Sequence, residues 1–259
     1  MLTRNTLFSI VAMLPALAAQ PAAAPAKQKP PAPGPAPAFS FPKYESRKLA
    51  NGLTVFVVED RRQPIVSYRL AVNAGSTMED PKKSGLASMT ATLLRNGGTK
   101  SRTSPEISKL VDQNGGSLDA AAVEDAAQVS GVWLKSHADL GFELLADIVL
   151  NPAFDTQELE RMRSQTLSGL QIAFSDPESL IGFAAPRVIY GQNPYGYPGG
   201  GTPDTIRGLT RDDLVAFHKS FYVPAGAYLV VVTPPAGQSP TTPSSIPVPL
   251  NAGQVVDDA

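Results

Sequence analysis

Residues 84–99 read SGLASMTATLLRNGGT, and the spacing of the apolar side chains in this stretch predicts an α-helix. Five side chains recur at i, i+3, i+4, i+7 and i+8 and would therefore form one largely apolar face. They are Leu86, Met89, Thr90, Leu93 and Leu94. A second face carries Ser88, Ala91, Thr92 and Arg95. We expect the first face to be buried and the second to present small and polar side chains.

Turn and capping residues divide the rest of the chain into further strands and helices. Asn51-Gly52 is typical of a hairpin turn, Ser104 is expected to cap a helix that starts at Pro105, and Asp155 is expected to cap a long one. The predicted strands are residues 47–49, 53–58, 65–72, 117–122, 127–134 and 228–232. The predicted helices after the first are residues 104–114, 137–150 and 155–174, with two more beginning at Asp176 and Thr210. This order predicts a single α+β domain in which an antiparallel sheet is covered by helices on one face.

Composition excludes several classes of protein. The chain has 259 residues, and 22 lysines and arginines against 23 acidic residues give a net charge of −1. This balance provides no electrostatic basis for binding nucleic acid. Cysteine is absent, which excludes disulfides and thiolate metal sites. The two histidines, His137 and His218, are too far apart in the sequence to match a known spacing of metal ligands.

The two ends of the chain differ in composition from its centre. Residues 1–24 predict a secretory signal peptide, with Arg4 before the apolar run Leu7–Leu17 and small residues at the expected cleavage site. That run is shorter than the roughly 20 residues of a membrane-spanning helix. Residues 25–38 predict a Pro/Ala-rich linker, residues 39–233 the folded domain, and residues 234–259 a disordered tail rich in Pro, Ser and Thr. We therefore expect export, most simply to the periplasm of a Gram-negative bacterium.

Several motifs in sequence order resemble those of the insulinase-like (M16) zinc metallopeptidases, a family with a LuxS-like metallohydrolase fold. Gly85-Leu86-Ala87 and Gly98-Thr99 resemble the residues that flank the family's His-x-x-Glu-His zinc helix. Further resemblances are Leu49–Val55, Gly75-Ser76 with Glu79, Gly115–Leu118, Asp147 with Asn151-Pro152, Asn193–Gly196 and the segment from Leu209 to Tyr222. Together these motifs cover about residues 46–232, which implies the N-terminal domain of such a protein.

The residues that carry the family's chemistry are replaced in this chain. The resemblance places Ser88, Ala91 and Thr92 at the three positions of the His-x-x-Glu-His motif, and Ser168 at the glutamate that supplies the third zinc ligand. Zinc binds neutral imidazoles and carboxylates, and un-ionised hydroxyls are poor substitutes. Without a carboxylate at Ala91, no general base remains for a bound water. We therefore expect no catalytic residues, no bound zinc and no other cofactor.

The expected function is that of a non-catalytic M16 protein. It would serve as a periplasmic partner or peptide-binding subunit of an active zinc metallopeptidase and would pair with it through an exposed apolar or sheet-edge surface. Self-association is the other expectation. Two alternatives remain: a zinc metalloendopeptidase that acts only with a partner chain, and a truncated inactive remnant. Family subunits usually carry two such domains in tandem, whereas this chain has room for one.

Overall fold

The computed structural model describes residues 42–235, which form one six-stranded sheet and seven α-helices. The strands are β1 (Tyr44–Lys48), β2 (Thr54–Glu59), β3 (Ile65–Val72), β4 (Ser117–Ala122), β5 (Ala127–Leu134) and β6 (Tyr228–Thr233). The helices are α1 (Leu86–Asn96), α2 (Ser104–Gln113), α3 (Ala138–Leu150), α4 (Thr156–Ala173), α5 (Pro177–Tyr190), α6 (Pro203–Gly208) and α7 (Arg211–Phe221). The predicted signal peptide, linker and nearly all of the predicted tail lie outside the described residues.

The strand order is β1-β2-β6-β3-β5-β4, and every pairing is antiparallel except that of β2 with β6. This arrangement confirms the predicted α+β class with a mostly antiparallel sheet. The single parallel pairing arises because the last strand inserts between the β1–β2 hairpin and β3. Its sequence, YLVVVT, has the nearly continuous apolar character of a strand that lies inside a sheet.

One face of the sheet carries the core. Tyr68 and Leu70 on β3 and Trp133 on β5 are almost completely buried, whereas Arg69 and Val132, which alternate with them, are exposed. Helices α1 and α3 pack on the buried face. All five side chains predicted to form the apolar face of α1 are buried, which confirms the helical pattern in residues 84–99.

The start of α2 differs by one residue from the prediction. The capping residue is Thr103, not Ser104. The backbone N–H and the hydroxyl of Thr103 both donate to the Glu106 carboxylate, at 2.7 and 2.8 Å. Thr103 rather than Ser104 lies three residues before a glutamate, and this spacing lets the two residues satisfy each other's polar groups at a helix start.

A buried tyrosine connects the sheet to α3. The Tyr68 hydroxyl donates to the Gly141 carbonyl at 2.7 Å and accepts from the Trp133 indole N–H at 3.2 Å. Burial raises the pKa of Tyr68, so the hydroxyl stays protonated and remains a donor. Gly141 lies against the Trp133 ring, and a Cβ atom at this glycine would lie 2.5 Å from two atoms of the indole. A side chain at position 141 would therefore force the helix away from the sheet.

We predict that Gly141→Ala lowers the free energy of unfolding by about 1–3 kcal/mol, since the buried indole has no room to move. The matched control is Gly169→Ala in α4, where no described atom lies within 4 Å of the added Cβ. That control should stabilise the protein by up to about 1 kcal/mol through helix propensity. Urea unfolding of both variants measures the difference; a Gly141→Ala protein as stable as the parent would contradict this packing.

Candidate functional site

The second face of α1 presents two hydroxyl side chains one helical turn apart. Ser88 and Thr92 are half-buried, and the rise between them is about 6 Å. Ala91, between them in sequence, is 1% exposed and belongs to the hydrophobic core. The hydroxyls of Ser88 and Thr92 are therefore partly accessible on this face of α1, whereas the Ala91 side chain packs in the core.

Ser88 lines a cavity of about 250 Å³. We call this space the Ser88 cavity. Its other lining residues come from the turn before α1, the end of β4 and a glycine-rich loop: Ser76, Ala122, Val123, Glu124, Gly199 and Gly200. The cavity is thus bounded by backbone and small side chains, with one carboxylate at its rim.

Hydrogen bonds fix the segments that surround the Ser88 cavity. The Ser76 N–H donates to the Val123 carbonyl at 3.0 Å, and the Thr77 N–H and hydroxyl both donate to the Glu124 carbonyl at 2.9 Å. On the other side, the Tyr195 hydroxyl donates to the Asp125 carboxylate at 2.6 Å. Glu124 and Asp125 lie in the turn between β4 and β5, as predicted, and this turn anchors both neighbouring loops.

A half-buried carboxylate contacts the N-terminus of α1. Glu79 accepts from the backbone N–H groups of Gly85 at 2.9 Å and Ala87 at 2.6 Å, at the N-terminus of the helix. A carboxylate is favoured there because the first N–H groups of a helix have no partner within the helix. Burial raises the pKa of Glu79 to about 7, against the opposing effect of these hydrogen bonds. The sequence marked Glu79 only as part of a motif; its capping role became visible in the structure.

Ser168 is not among the residues that line the Ser88 cavity. Its side chain is exposed on α4, and its hydroxyl donates to the Ser164 carbonyl at 3.0 Å. It lines a different cavity of about 380 Å³, beside Gln171 and Arg207, whereas the buried side of α4 carries Leu159 and Leu170. Ser168 and Ser88 thus line different cavities, and the assignment of Ser168 to the third ligand position remains a prediction.

The donors present do not fit a zinc ion. Hydroxyls at Ser88 and Thr92 are poor zinc ligands. The His137 ring contacts the Asn114 carbonyl at 3.1 Å through Nδ1, and the His218 ring contacts the Val149 carbonyl at 2.9 Å through Nε2. Within residues 42–235, no three His, Cys, Asp or Glu side chains are grouped so that they could hold a metal ion. The side chains of these residues therefore provide no basis for a metal-dependent reaction.

Strand β4 lies at one edge of the described sheet, next to the Ser88 cavity. The Arg95 guanidinium, on α1, donates to the Leu118 carbonyl at 2.8 Å, so this carbonyl points away from β5. Because N–H and C=O groups alternate in direction along an antiparallel strand, Ala120 and Ala122 also direct theirs outward. The outward backbone N–H and C=O groups of β4 thus form a row along the sheet edge that ends at the Ser88 cavity. The sequence alone did not indicate that Arg95 contacts this strand.

The sheet, its covering helices and the position of α1 together define an α+β domain that resembles a metallopeptidase domain. Comparison with known proteins gives the same class of fold. Residues 54–198 match the sequence profile of the insulinase family, peptidase family M16, and the chain belongs to this family.

Curated relatives include proteins named as proteases and one named as a non-peptidase. An uncharacterized zinc protease of Mycobacterium leprae is 30% identical over 153 residues, covering 59% of this chain and 34% of that protein. One of Rickettsia bellii is 27% identical over 184 residues, covering 71% and 44%. The non-peptidase homolog YmxG of Helicobacter pylori is 26% identical over 160 residues, covering 62% and 37%. The chain spans less than half the length of each of these relatives.

The similar solved structures likewise include both an inactive domain and proteins named as proteases. The peptidase M16 inactive domain from Pseudomonas fluorescens has a TM-score of 0.70 at 26% identity, covering 73% of this chain and 46% of that chain. A protease from Helicobacter pylori has a TM-score of 0.71 at 26% identity, covering 77% and 48%. The periplasmic protease PqqL from Escherichia coli shares the fold, with a TM-score of 0.68 at 17% identity. The match covers 75% of this chain and 22% of the PqqL chain.

No α-helix within residues 42–235 is both long and apolar enough to span a bilayer.

We predict that the raised pKa of Glu79 makes stability fall as pH rises. The folded state binds this proton more tightly than the unfolded state, whose pKa is 4.5, so stability present below about pH 4.5 is lost as pH rises through about 7. The full change is on the order of 3 kcal/mol. Glu79→Gln should remove it.

The measurement is the free energy of unfolding of parent and variant at each pH between about 5 and 8. Parent and variant must be compared at each pH because burial also lowers the pKa of His218. The contribution of His218 to stability therefore rises with pH, opposite to that of Glu79. Glu106→Gln, at an exposed cap, is the control and should keep the parent's pH dependence in this range. If the difference between parent and Glu79→Gln does not change with pH, the carboxyl has an ordinary pKa.

Proposed function

We propose that this chain is a non-catalytic member of the M16 family that binds an extended peptide segment, either of an unfolded protein or of a partner chain. The observation that carries the proposal is the second face of α1. Its hydroxyl side chains, Ser88 and Thr92, and the buried Ala91 provide no ligand for zinc and no general base. The non-peptidase name of the Helicobacter pylori relative and the inactive domain from Pseudomonas fluorescens support it.

The place of binding that we propose is the outer edge of β4 together with the Ser88 cavity. An edge strand presents backbone N–H and C=O groups that an extended peptide can pair with. Ala120 and Ala122 are small, so a peptide backbone can approach the strand closely. The peptide would then run toward the Ser88 cavity, where Glu124 supplies negative charge and favours a basic side chain. Arg95 holds the Leu118 end of the strand in place.

We also propose a periplasmic location and an active M16 subunit as the source of the bound segment. The location rests on the charge and apolar pattern of residues 1–24. An active M16 subunit is proposed because relatives of this chain are named as zinc proteases.

For the metal, we predict that purified parent protein contains no stoichiometric zinc and does not cleave unfolded peptides with or without added zinc. The double variant Ser88→His with Thr92→His should gain zinc binding, because imidazoles one helical turn apart can share one metal. Calorimetric titration with zinc measures the gain, and Thr92→His alone is the control. Equal affinity of parent and double variant would show that these two positions do not converge on one site.

Ala91 is left unchanged in that variant for a structural reason. A glutamate at Ala91 would place a carboxylate in the core, at a cost of several kcal/mol. The same samples test the two alternatives. Zinc-dependent cleavage that appears only with an active M16 subunit would identify a partner-dependent peptidase, and would overturn the proposal. Binding of neither peptide nor subunit would favour an inactive remnant.

For the peptide, we predict that Ala120→Pro weakens binding about tenfold or more, because proline removes an outward N–H and obstructs the edge. The matched control is Ala120→Ser, which keeps the N–H. The probe is a fluorescein-labelled unstructured peptide containing arginine and apolar residues, followed by fluorescence anisotropy. Unfolding curves confirm that both variants fold. Equal affinity of Ala120→Pro and Ala120→Ser would exclude β4 as the binding edge.

A further inference from the structure

The face of the sheet opposite α1 and α3 is largely apolar, and we call it the open face. The strand registers place its side chains in rows across the sheet. One row, in strand order from β1 to β5, consists of Tyr44, Val58, Val232, Ser67 and Val132. The apolar side chains beside this row are those of Phe56, Ile65, Leu134 and Val230. Tyr44 is 56% exposed, Val132 45% and Leu134 44%, so apolar surface on this face is open to a covering segment.

A groove of about 290 Å³ lies on the open face, at the end of the sheet where β6 finishes. We call it the Ser67 groove. Ile65, Ser67 and Val232 line it from the strands, and the loop after β2 contributes Asp60, Arg62 and Gln63. The part of the groove that the strands form is thus apolar except for one hydroxyl, and along the row it continues onto Val132.

The chain leaves the described residues close to the Ser67 groove. After β6, Pro234 and Pro235 are buried, and the Lys135 ammonium donates to the Pro235 carbonyl at 3.1 Å. Lys135 directly follows β5, and β3 lies between β5 and β6 in the sheet, so the chain has crossed the end of β3 at this point. Ile65 and Leu134 of the open face lie at the same end of the sheet. The residues from 236 onward therefore start beside this face.

The sequence beyond Pro235 contains an apolar segment that favours an extended conformation. Residues 246–250 read IPVPL. Proline fixes its own φ at about −65° and restricts the residue before it to extended conformations, which applies to Ile246 and Val248. In a strand-like conformation Ile246, Val248 and Leu250 point to one side. Because the two prolines lack N–H groups, the segment is better suited to packing on the face of a sheet than to pairing within one.

We propose that residues 246–250 pack across the open face, with their apolar side chains against the Ser67 groove and Val132. Residues 236–245 can span up to about 35 Å when extended. Six strands that lie about 4.8 Å apart make a sheet about 24 Å wide, so the whole open face is within reach.

Charge supports the same placement. Arg69 is exposed in the middle of the open face, between Val230 and Ser130, and forms no ion pair within residues 42–235. In the sequence from residue 236 onward, Asp257 and Asp258 are the only charged side chains, and their charge is opposite to that of Arg69. The inference goes beyond the proposed function, since it concerns the open face and not the β4 edge.

The first test uses the absence of cysteine from the chain. In the full chain, the double variant Ser67→Cys with Val248→Cys should form an intramolecular disulfide on mild oxidation at low protein concentration. The control combines Val248→Cys with Ser220→Cys, which is exposed on α7, a helix that packs against α1. The first pair should close at least about tenfold faster, because a docked segment has a higher effective concentration than a free one. Mass spectrometry of quenched samples measures both rates.

The second test measures access to the Ser67 groove. With Ser67→Cys as the only cysteine, Val248→Asp should increase the rate of alkylation by fluorescein maleimide about three- to tenfold, because a carboxylate packs poorly against an apolar surface. Val255→Asp, outside residues 246–250, is the matched control and should leave this rate unchanged. Circular dichroism melts establish that the variants are folded, so that a faster reaction reports access to the groove.

Equal rates of closure in the two cysteine pairs, or a rate of alkylation that Val248→Asp does not change, would overturn the inference. A mixture of the single variants Ser67→Cys and Val248→Cys that forms linked dimers as fast as the double variant closes would show that the segment binds a second copy, and would also overturn it. These outcomes leave the proposed function in place, since peptide binding is tested at β4 with different variants.

Discussion

The position of α1 depends on a half-buried carboxylate at its N-terminus. Glu79 receives two backbone N–H groups of the first turn of α1, and without it those donors would face a partly buried space with no partner. The helix in turn presents Ser88 and Thr92, packs Ala91 into the core and carries Arg95 to the edge strand. The Ser88 cavity and the β4 edge thus depend on one electrostatic contact that comes from an otherwise irregular turn.

Much of this architecture follows from local sequence rules. The apolar face of α1 could be predicted because its side chains recur at helical spacing and the structure buries all of them. The Asn51-Gly52 hairpin and the strands β4 and β5 could be predicted because turn residues separate them clearly. Positions that the resemblance supplied differ in kind. Ser88 and Thr92 share a face because their spacing requires it. Ser168 was placed by the resemblance alone, and a resemblance does not determine which way a side chain points.

What could not be predicted is non-local. The insertion of β6 between β2 and β3 joins residues far apart in sequence, and nothing in the pattern of either strand specifies a parallel partner. The Tyr68, Trp133 and Gly141 contact likewise joins β3, β5 and α3, and only the structure shows that Gly141 is required by the indole against it. The exposure of apolar side chains on α5 could not be predicted either, because sequence alone does not show which side chains of a helix the rest of the domain covers.

The burial of Ala91 has a consequence for the history of the protein. Once a small apolar side chain has been accepted into the core, neighbouring residues are free to close around it, and the space for a glutamate disappears. A mutation of Ala91 to glutamate would then be selected against because it lowers stability. Replacements at the half-buried Ser88 and Thr92 carry no such penalty. Under the proposed non-catalytic function, the packing around Ala91 therefore makes the replacement at this position difficult to reverse.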